Sequence, residues 1–316
     1  MRNSARCAGN RLLIVAYHGV APAPDALQPE QIDSAQFDLH MKILRRYFNP
    51  LPLVEAVTRL QRGALPRRAV CVTFDDGYAN NLTVALPLLQ RHSVPATVFV
   101  TTGTLFETQW NDRVVEAIRH MSGDHVDLAC VKLGVEPLRN MDERRAVVDK
   151  VITAVKWLDP AERAQRLRDL ERLAGNPAIG PQMLAPAQVV QLHRAGVEIG
   201  AHTVNHPVLT SITHEAAARE LRDSRSYLED LLGARVTSFA YPNGKPGRDF
   251  DAAHVLLARQ SGFECALSTA WGYADSRSDV FQLPRVRAWQ RVGWRMLARM
   301  LRAYWSESQT LRVAMP

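Results

Sequence analysis

Short apolar runs at residues 12–17, 69–74, 96–101, 197–201, 235–240 and 263–268 punctuate the chain. Between several of them lie segments of helical period, such as Asn81 to Arg91, Pro186 to Ala195, Thr213 to Leu232 and Phe250 to Ser261. The runs are too short for core helices and read as buried strands. Gly196, Gly233 and Gly262 stand just past three helical segments, where a left-handed residue ends a helix. Strand-helix alternation of this kind argues for an α/β fold with a parallel sheet. Periodicity alone does not separate an open sheet from a barrel. In a parallel barrel all strands end on one mouth, so residues that follow the runs are candidates for a shared site.

Two of these strand exits carry chemistry. Asp75 and Asp76 leave the run Ala69 to Phe74 within Thr73-Phe74-Asp75-Asp76-Gly77-Tyr78. Folded proteins rarely place adjacent carboxylates at a strand end without pairing them or binding a cation. The alternative is a solvated Asp-Asp-Gly turn. The second exit, His202-Thr203-Val204-Asn205-His206, follows Val197 to Ala201. Histidines four apart face the same way over one helical turn, so both rings can reach one ion. With a carboxylate they leave positions open for water and substrate. That donor set suits a catalytic divalent metal, zinc first, with iron, cobalt or nickel as alternatives. No His-Glu-x-x-His occurs, so the zinc-protease arrangement is not present.

TFDDGY, HTVNH and the later Phe239-Ala240-Tyr241-Pro242-Asn243-Gly244, in this order, resemble the motifs of the polysaccharide deacetylases. These are the NodB-homology group, or carbohydrate esterase family 4. The likeness runs from about Leu12 to Arg285. It implies a distorted (β/α) barrel of about seven parallel strands and removal of acetyl groups from N-acetylated sugars. It also implies Asp76, His202 and His206 as metal ligands and Asp75 as general base. Asn243, after Tyr241 and Pro242, matches the position whose backbone amide holds the oxyanion. Amide hydrolysis needs an activated water, a polarised carbonyl and a proton for the departing amine. A divalent ion meets the first two needs, and an oxyanion donor contributes ~3–4 kcal/mol.

The chain departs from the usual family pattern twice. An arginine normally precedes the proline of the third motif, where Phe239-Ala240-Tyr241 stands here. The usual final Leu-x-His is missing, since the last histidine is His254. Leu283-Pro284-Arg285 at that place resembles the exopolysaccharide-associated branch. Arg285 is read as a partner for Asp75, the alternative being a surface arginine. His18, in Tyr17-His18-Gly19-Val20 after the first run, either supplies the missing acid or is an ordinary buried or substrate-contacting histidine.

Residues 104–181 read as an insertion of two or three helices after the third strand. Its entrance, Gln109-Trp110-Asn111-Asp112, resembles a feature of the same branch. Trp110 either stacks on a sugar at the mouth or anchors the insertion. The catalytic domain is accordingly expected over residues 1–286, followed by a basic amphipathic helix and tail over 287–316. From Arg287 to Trp305 the pattern puts Trp289, Val292, Met296, Leu297, Met300, Leu301 and Tyr304 on one side. Arg287, Arg291, Arg295, Arg299 and Arg302 fall on the other. Such a helix either lies on an anionic membrane or packs on the barrel with its arginines solvated. A lipid-linked glycan substrate would suit the first.

With 316 residues and 47% hydrophobic content the chain can bury one large core. The net charge of +7 comes with no nucleic-acid motif, so an acidic glycan or anionic membrane explains it as well. Cys7, Cys71, Cys130 and Cys265 have no metal-ribbon spacing, and Cys71 and Cys265 fall in strands. The first apolar run is shorter than a signal-peptide core or membrane span. Cytoplasmic residence, or the inner membrane face, is therefore expected. The expected partner is an N-acetylated glycan or lipid-linked sugar. Competing functions are hydrolysis of another non-peptide C–N bond, or glycan binding without turnover.

Overall fold

The computed structural model describes residues 10–288, 290–306 and 311. Six strands coincide with the six apolar runs: β1 (Leu12–Tyr17), β2 (Ala69–Phe74), β3 (Ala96–Val100), β4 (Glu198–Ala201), β5 (Ser238–Ala240) and β6 (Cys265–Leu267). A seventh, β7 (Val286–Arg287), completes a parallel sheet ordered β6-β5-β4-β3-β2-β1-β7. The short strand Asn49–Pro50 pairs alongside the start of β2. The segment at β7 links the two sides of the sheet. Val286 pairs with Val15 on β1, while Leu283, three residues earlier, bridges to Leu267 on β6. One stretch of chain thereby joins both edges and curls the sheet into a distorted barrel. Two paired residues are too few for periodicity to reveal, which is why β7 is not visible in the sequence.

Alternation along the strands divides two cores. Leu12, Ile14, Ala69, Cys71, Phe99, Ala240, Cys265 and Leu267 form one cluster with α2 (Leu53–Gln61). Their neighbours Leu13, Val15, Val70, Val72, Val98 and Val100 pack with the surrounding helices. Both sides of the strands are therefore buried, which explains runs that read as continuously apolar. Gly200 in β4 is required by this packing: a Cβ there would lie 2.4 Å from the Phe99 ring. The described cysteines, Cys71, Cys130 and Cys265, are free; Cys7 lies outside the described residues.

The chain between β3 and β4 holds the expected helices plus a small antiparallel hairpin, His125–Asp127 with Val135–Pro137. The helices are Trp110–His120, Met141–Val155 and Pro160–Leu173, followed by Pro186–Arg194 on the barrel. The insertion has a core of its own, including Val114, Ile118, Val151, Leu167 and Leu170. The hairpin is missing from the sequence reading because its strands are three residues each and largely exposed. Neither strand has a fully buried face to impose a pattern.

The terminal helix spans Gly293–Tyr304, shorter than the Arg287–Trp305 expectation because Arg287 belongs to β7. Met296, Met300, Ala303 and Tyr304 are buried against the barrel and α1 (Ser34–Tyr47), while Val292 and Leu301 are exposed. The expected apolar side is therefore split, and its main part serves packing. The expected domain break after residue 286 falls inside β7, so this segment continues the barrel. Trp289 lies outside the described residues. Among the described residues no helix is long and apolar enough to cross a membrane.

Candidate active site

Strand register brings the chemistry together. Tyr17 pairs with Phe74, so His18 and Asp75 leave β1 and β2 at one level. The Asp75 N–H donates to the Tyr17 carbonyl at 3.0 Å and fixes that level. Val100 pairs with Ala201 across β3 and β4, which delivers His202 to the same mouth; its N–H donates to the Val100 carbonyl at 3.0 Å.

Asp76, His202 and His206 converge there. His206 Nε2 lies 3.4 Å and His202 Nε2 3.5 Å from Asp76 Oδ1. These separations exceed ordinary N–H···O hydrogen bonds. They fit donors around one tetrahedral ion, because spokes of about 2.1 Å give edges of about 3.4 Å. Asp76 Oδ1 is buried and has no hydrogen-bond partner among the protein atoms. His202 Nδ1 contacts the Ala240 carbonyl at 2.7 Å, leaving Nε2 toward the cluster. Burial, with Asp75 and Asp112 adding, pushes the Asp76 carboxyl well above its ordinary pKa. Burial likewise lowers both histidines, most for His206, so their neutral ligating form is favoured. A carboxylate destabilised in this way is relieved by a bound cation.

Asp75 has a different environment. Arg285, itself buried, donates through Nη1 to Oδ1 at 2.6 Å and through Nη2 to Oδ2 at 2.8 Å. Its Nε donates to the Ser268 carbonyl at 2.9 Å, which fixes the guanidinium in place. Burial alone would raise the Asp75 pKa. The Arg285 charge, with His202, more than offsets it and holds the carboxyl well below its ordinary range. Neighbouring carboxylates thus have opposite tendencies, one kept ionised and one waiting for a cation.

The histidine segment is a loop, not the helical turn expected from its spacing. Thr203 and His206 adopt positive φ, 67° and 50°, as do Asp76 at 73° and Asn243 at 58°. Each such residue costs on the order of 1–3 kcal/mol, and strain of this kind gathers at functional sites. The loop is held from three sides. Glu220, on the helix His214–Leu232, accepts from the Val204 and Asn205 N–H groups, both at 2.8 Å. Gly103 donates to the Val204 carbonyl at 2.8 Å, an approach that a Cβ would obstruct at 2.7 Å. Arg163 of the insertion donates to the Asn205 carbonyl at 2.9 Å.

The remaining expected residues divide. His18 has an exposed side chain lining a cleft of about 290 Å³ with Tyr78, Asn111, Asp112 and Arg287. Its backbone carbonyl is held by Asn81 Nδ2 at 2.9 Å. Asn243 sits at the mouth after β5, its carbonyl accepting from Thr269 Oγ1 at 2.8 Å. Pro242 is buried beside it. Tyr241 is not available to substrate: its ring stacks on Phe250 at 3.9 Å and its hydroxyl donates to the Phe281 carbonyl at 3.0 Å. Trp110 also serves structure, packed on the insertion core with the Arg163 guanidinium 4.7 Å from its ring centre.

Arg163, Glu220 and Asp112 are absent from the sequence reading of the site. Arg163 was legible as an anomaly, since it shares a helical face with Leu167 and Leu170. Asp112 is buried, accepts from the Tyr78 hydroxyl at 2.7 Å and is pushed up to about 6 by burial. Nothing local distinguishes Glu220 from other surface glutamates.

Comparison with known proteins agrees with this fold. YxkH of Bacillus subtilis (strain 168), which carries a polysaccharide-deacetylase name, is 20% identical over 279 residues, 88% of this chain and 71% of that protein. The structure of the Streptococcus pyogenes deacetylase PplD, in complex with acetate, superposes with a TM-score of 0.61 at 18% identity. It covers 93% of this chain and 98% of that one. IcaB from Ammonifex degensii gives a TM-score of 0.59 at 19% identity, covering 91% of this chain and 97% of that one. The family model for polysaccharide deacetylase matches residues 62–266. That span contains both carboxylates, the histidine loop and Asn243, and the chain belongs to the polysaccharide deacetylase family, as a carbohydrate N-deacetylase.

Proposed function

We propose that the chain removes acetyl groups from N-acetylated sugars of a polysaccharide or lipid-linked glycan, using a divalent ion held by Asp76, His202 and His206. The observation that carries this reading is their convergence at 3.4 and 3.5 Å, beside an Asp75 that Arg285 keeps ionised. A divalent ion, zinc best matching the donors, would supply Lewis-acid polarisation of the acetyl group and of the attacking water.

The chain's own residues do the rest. Asp75 accepts the water proton, and Arg285 orients it through both oxygens. The Asn243 backbone N–H is the candidate donor to the developing oxyanion. His18, open to the cleft, is the candidate for handing a proton to the departing amine. Crowding by the surrounding protein, with the Arg287 and Arg285 charges adding, lowers its pKa, and Asp75 opposes that shift.

Acetate release from N-acetylglucosamine oligosaccharides by the zinc-loaded protein tests the reading. Release is expected, with loss on Asp76→Ala and Asp75→Asn. Bound metal without acetate from any N-acetylated glycan would instead indicate hydrolysis of another C–N bond. Sugar binding with neither metal nor acetate would indicate a glycan-binding protein.

A further inference from the structure

The helix Gly293–Tyr304 buries one face and still presents large apolar groups on the opposite one. Trp294 and Trp305 are each 67% exposed and Leu301 is 44% exposed. At 100° per residue these three lie within about 40° of one another, opposite Ala303 and Met296. Of the twelve large hydrophobic side chains exposed among the described residues, four (Val292, Trp294, Leu301 and Trp305) belong to this short stretch. Leu39, also exposed, adjoins it at Gly293.

Among the described residues from Gly293 to Ser306 the charge has one sign. The helix contains no acidic residue, and Arg295, Arg299 and Arg302 line a cavity of about 590 Å³ with Trp271, Gln290 and Ala298. Arg11 adds a further guanidinium, 4.8 Å from the Trp305 ring centre. Tryptophans for the headgroup level, a leucine between them and flanking arginines are the groups that seat a helix in an anionic bilayer surface.

We infer that this helix docks the protein on an anionic lipid bilayer through Trp294, Leu301 and Trp305, with the arginine-lined cavity receiving a lipid phosphate. The docking face is the one opposite Met296 and Ala303, and of the apolar side that the sequence pattern suggests it keeps Leu301 alone. The helix begins just past the cleft that His18 lines, whose wall includes Arg287 and Ala288. Docking would therefore hold the cleft close to the bilayer, although it does not depend on the reaction proposed for that site.

Flotation of the full chain with vesicles tests this directly. Vesicles of phosphatidylcholine alone are compared with vesicles containing about 30% phosphatidylglycerol. Binding is expected only to the second. The pair Trp294→Ala with Trp305→Ala should weaken it at least about tenfold, and so should Arg295→Glu with Arg302→Glu. Leu301→Ser is a milder third variant, expected to weaken binding several-fold. All these positions lie outside the buried face, and matching melting curves establish that the variants are folded. Three results would each overturn the inference. They are no flotation with anionic vesicles, equal flotation with neutral ones, and tryptophan-pair binding equal to the parent. Retention on heparin without flotation would show a soluble polyanion as the ligand and overturn it too.

Discussion

Arg285 grips Asp75 at two points, 2.6 and 2.8 Å, although 210 residues separate them in the chain. Both are buried, and breaking such a pair leaves a charge without compensation, at a cost of about 3–5 kcal/mol. Arg285→Met should therefore destabilise the protein by that order in urea unfolding and lower turnover at least about tenfold. Asp75→Asn combined with Arg285→Met should regain most of the stability and none of the turnover. A single variant as stable and as active as the parent would refute the clamp. The folded pKa of Asp75 is depressed, so the pair's stabilisation is complete above the ordinary Asp value near ~4. It fades only as pH falls from there toward the folded value.

Asp76 should make the opposite response. Its buried Oδ1 is unpartnered and its pKa is raised, so in metal-free protein the ionised carboxylate is a liability. Asp76→Asn is expected to raise the melting temperature of chelator-treated protein, while cutting zinc content from about one per chain to near zero. Elemental analysis and calorimetry on the same samples check both halves. Unchanged zinc content would remove Asp76 from the ligand set.

Asp112, whose charge helps to raise Asp76, gives a further pH signature. Its folded pKa, about 6, lies above its ordinary 3.8, so the folded state retains a proton that the unfolded chain has released. Stability from this group is present at low pH and declines as pH rises from about 4 to about 6. Two units correspond to about 3 kcal/mol at most. Asp112→Asn should flatten the stability profile in this window and match or exceed the parent above it. Denaturant midpoints at several pH values read the difference.

Arg163 ties the insertion to the histidine loop through the Asn205 carbonyl at 2.9 Å, while its guanidinium lies 4.7 Å from the Trp110 ring centre. Arg163→Met should weaken zinc binding about 10- to 100-fold, as loss of an outer support does, with little change in global unfolding. Trp110→Ala should loosen the insertion and leave affinity for a soluble oligosaccharide unchanged. Limited proteolysis between residues 104 and 181 and glycan titration separate these effects. A Trp110 variant with intact insertion and lost sugar affinity would restore its stacking role.

Much of the barrel was legible because strands buried on both faces must be apolar throughout. Six runs became six strands, and adjacent carboxylates and histidines marked their ends. The exceptions follow from physics of longer range. Two-residue β7 owes its existence to Leu283 and Val286 reaching opposite edges of the sheet. Spacing suggested a helical turn for His202 and His206, whereas Glu220, Gly103 and Arg163 hold a strained loop. Tyr241 sits in the motif but turns its ring into the core, where Phe250 and the Phe281 carbonyl satisfy it.

By itself the sequence determined the strand-helix rhythm, the motif order and the donor types, because these are local properties of residues and their spacing. Tertiary structure decided between the two readings of Arg285 by bringing it to Asp75, and it alone decided that Arg163 supports the histidine loop and which face of the last helix is outward. Those outcomes depend on register and packing between segments tens to hundreds of residues apart. No local pattern encodes such distances, since they arise only when the sheet curls and places its strand ends side by side.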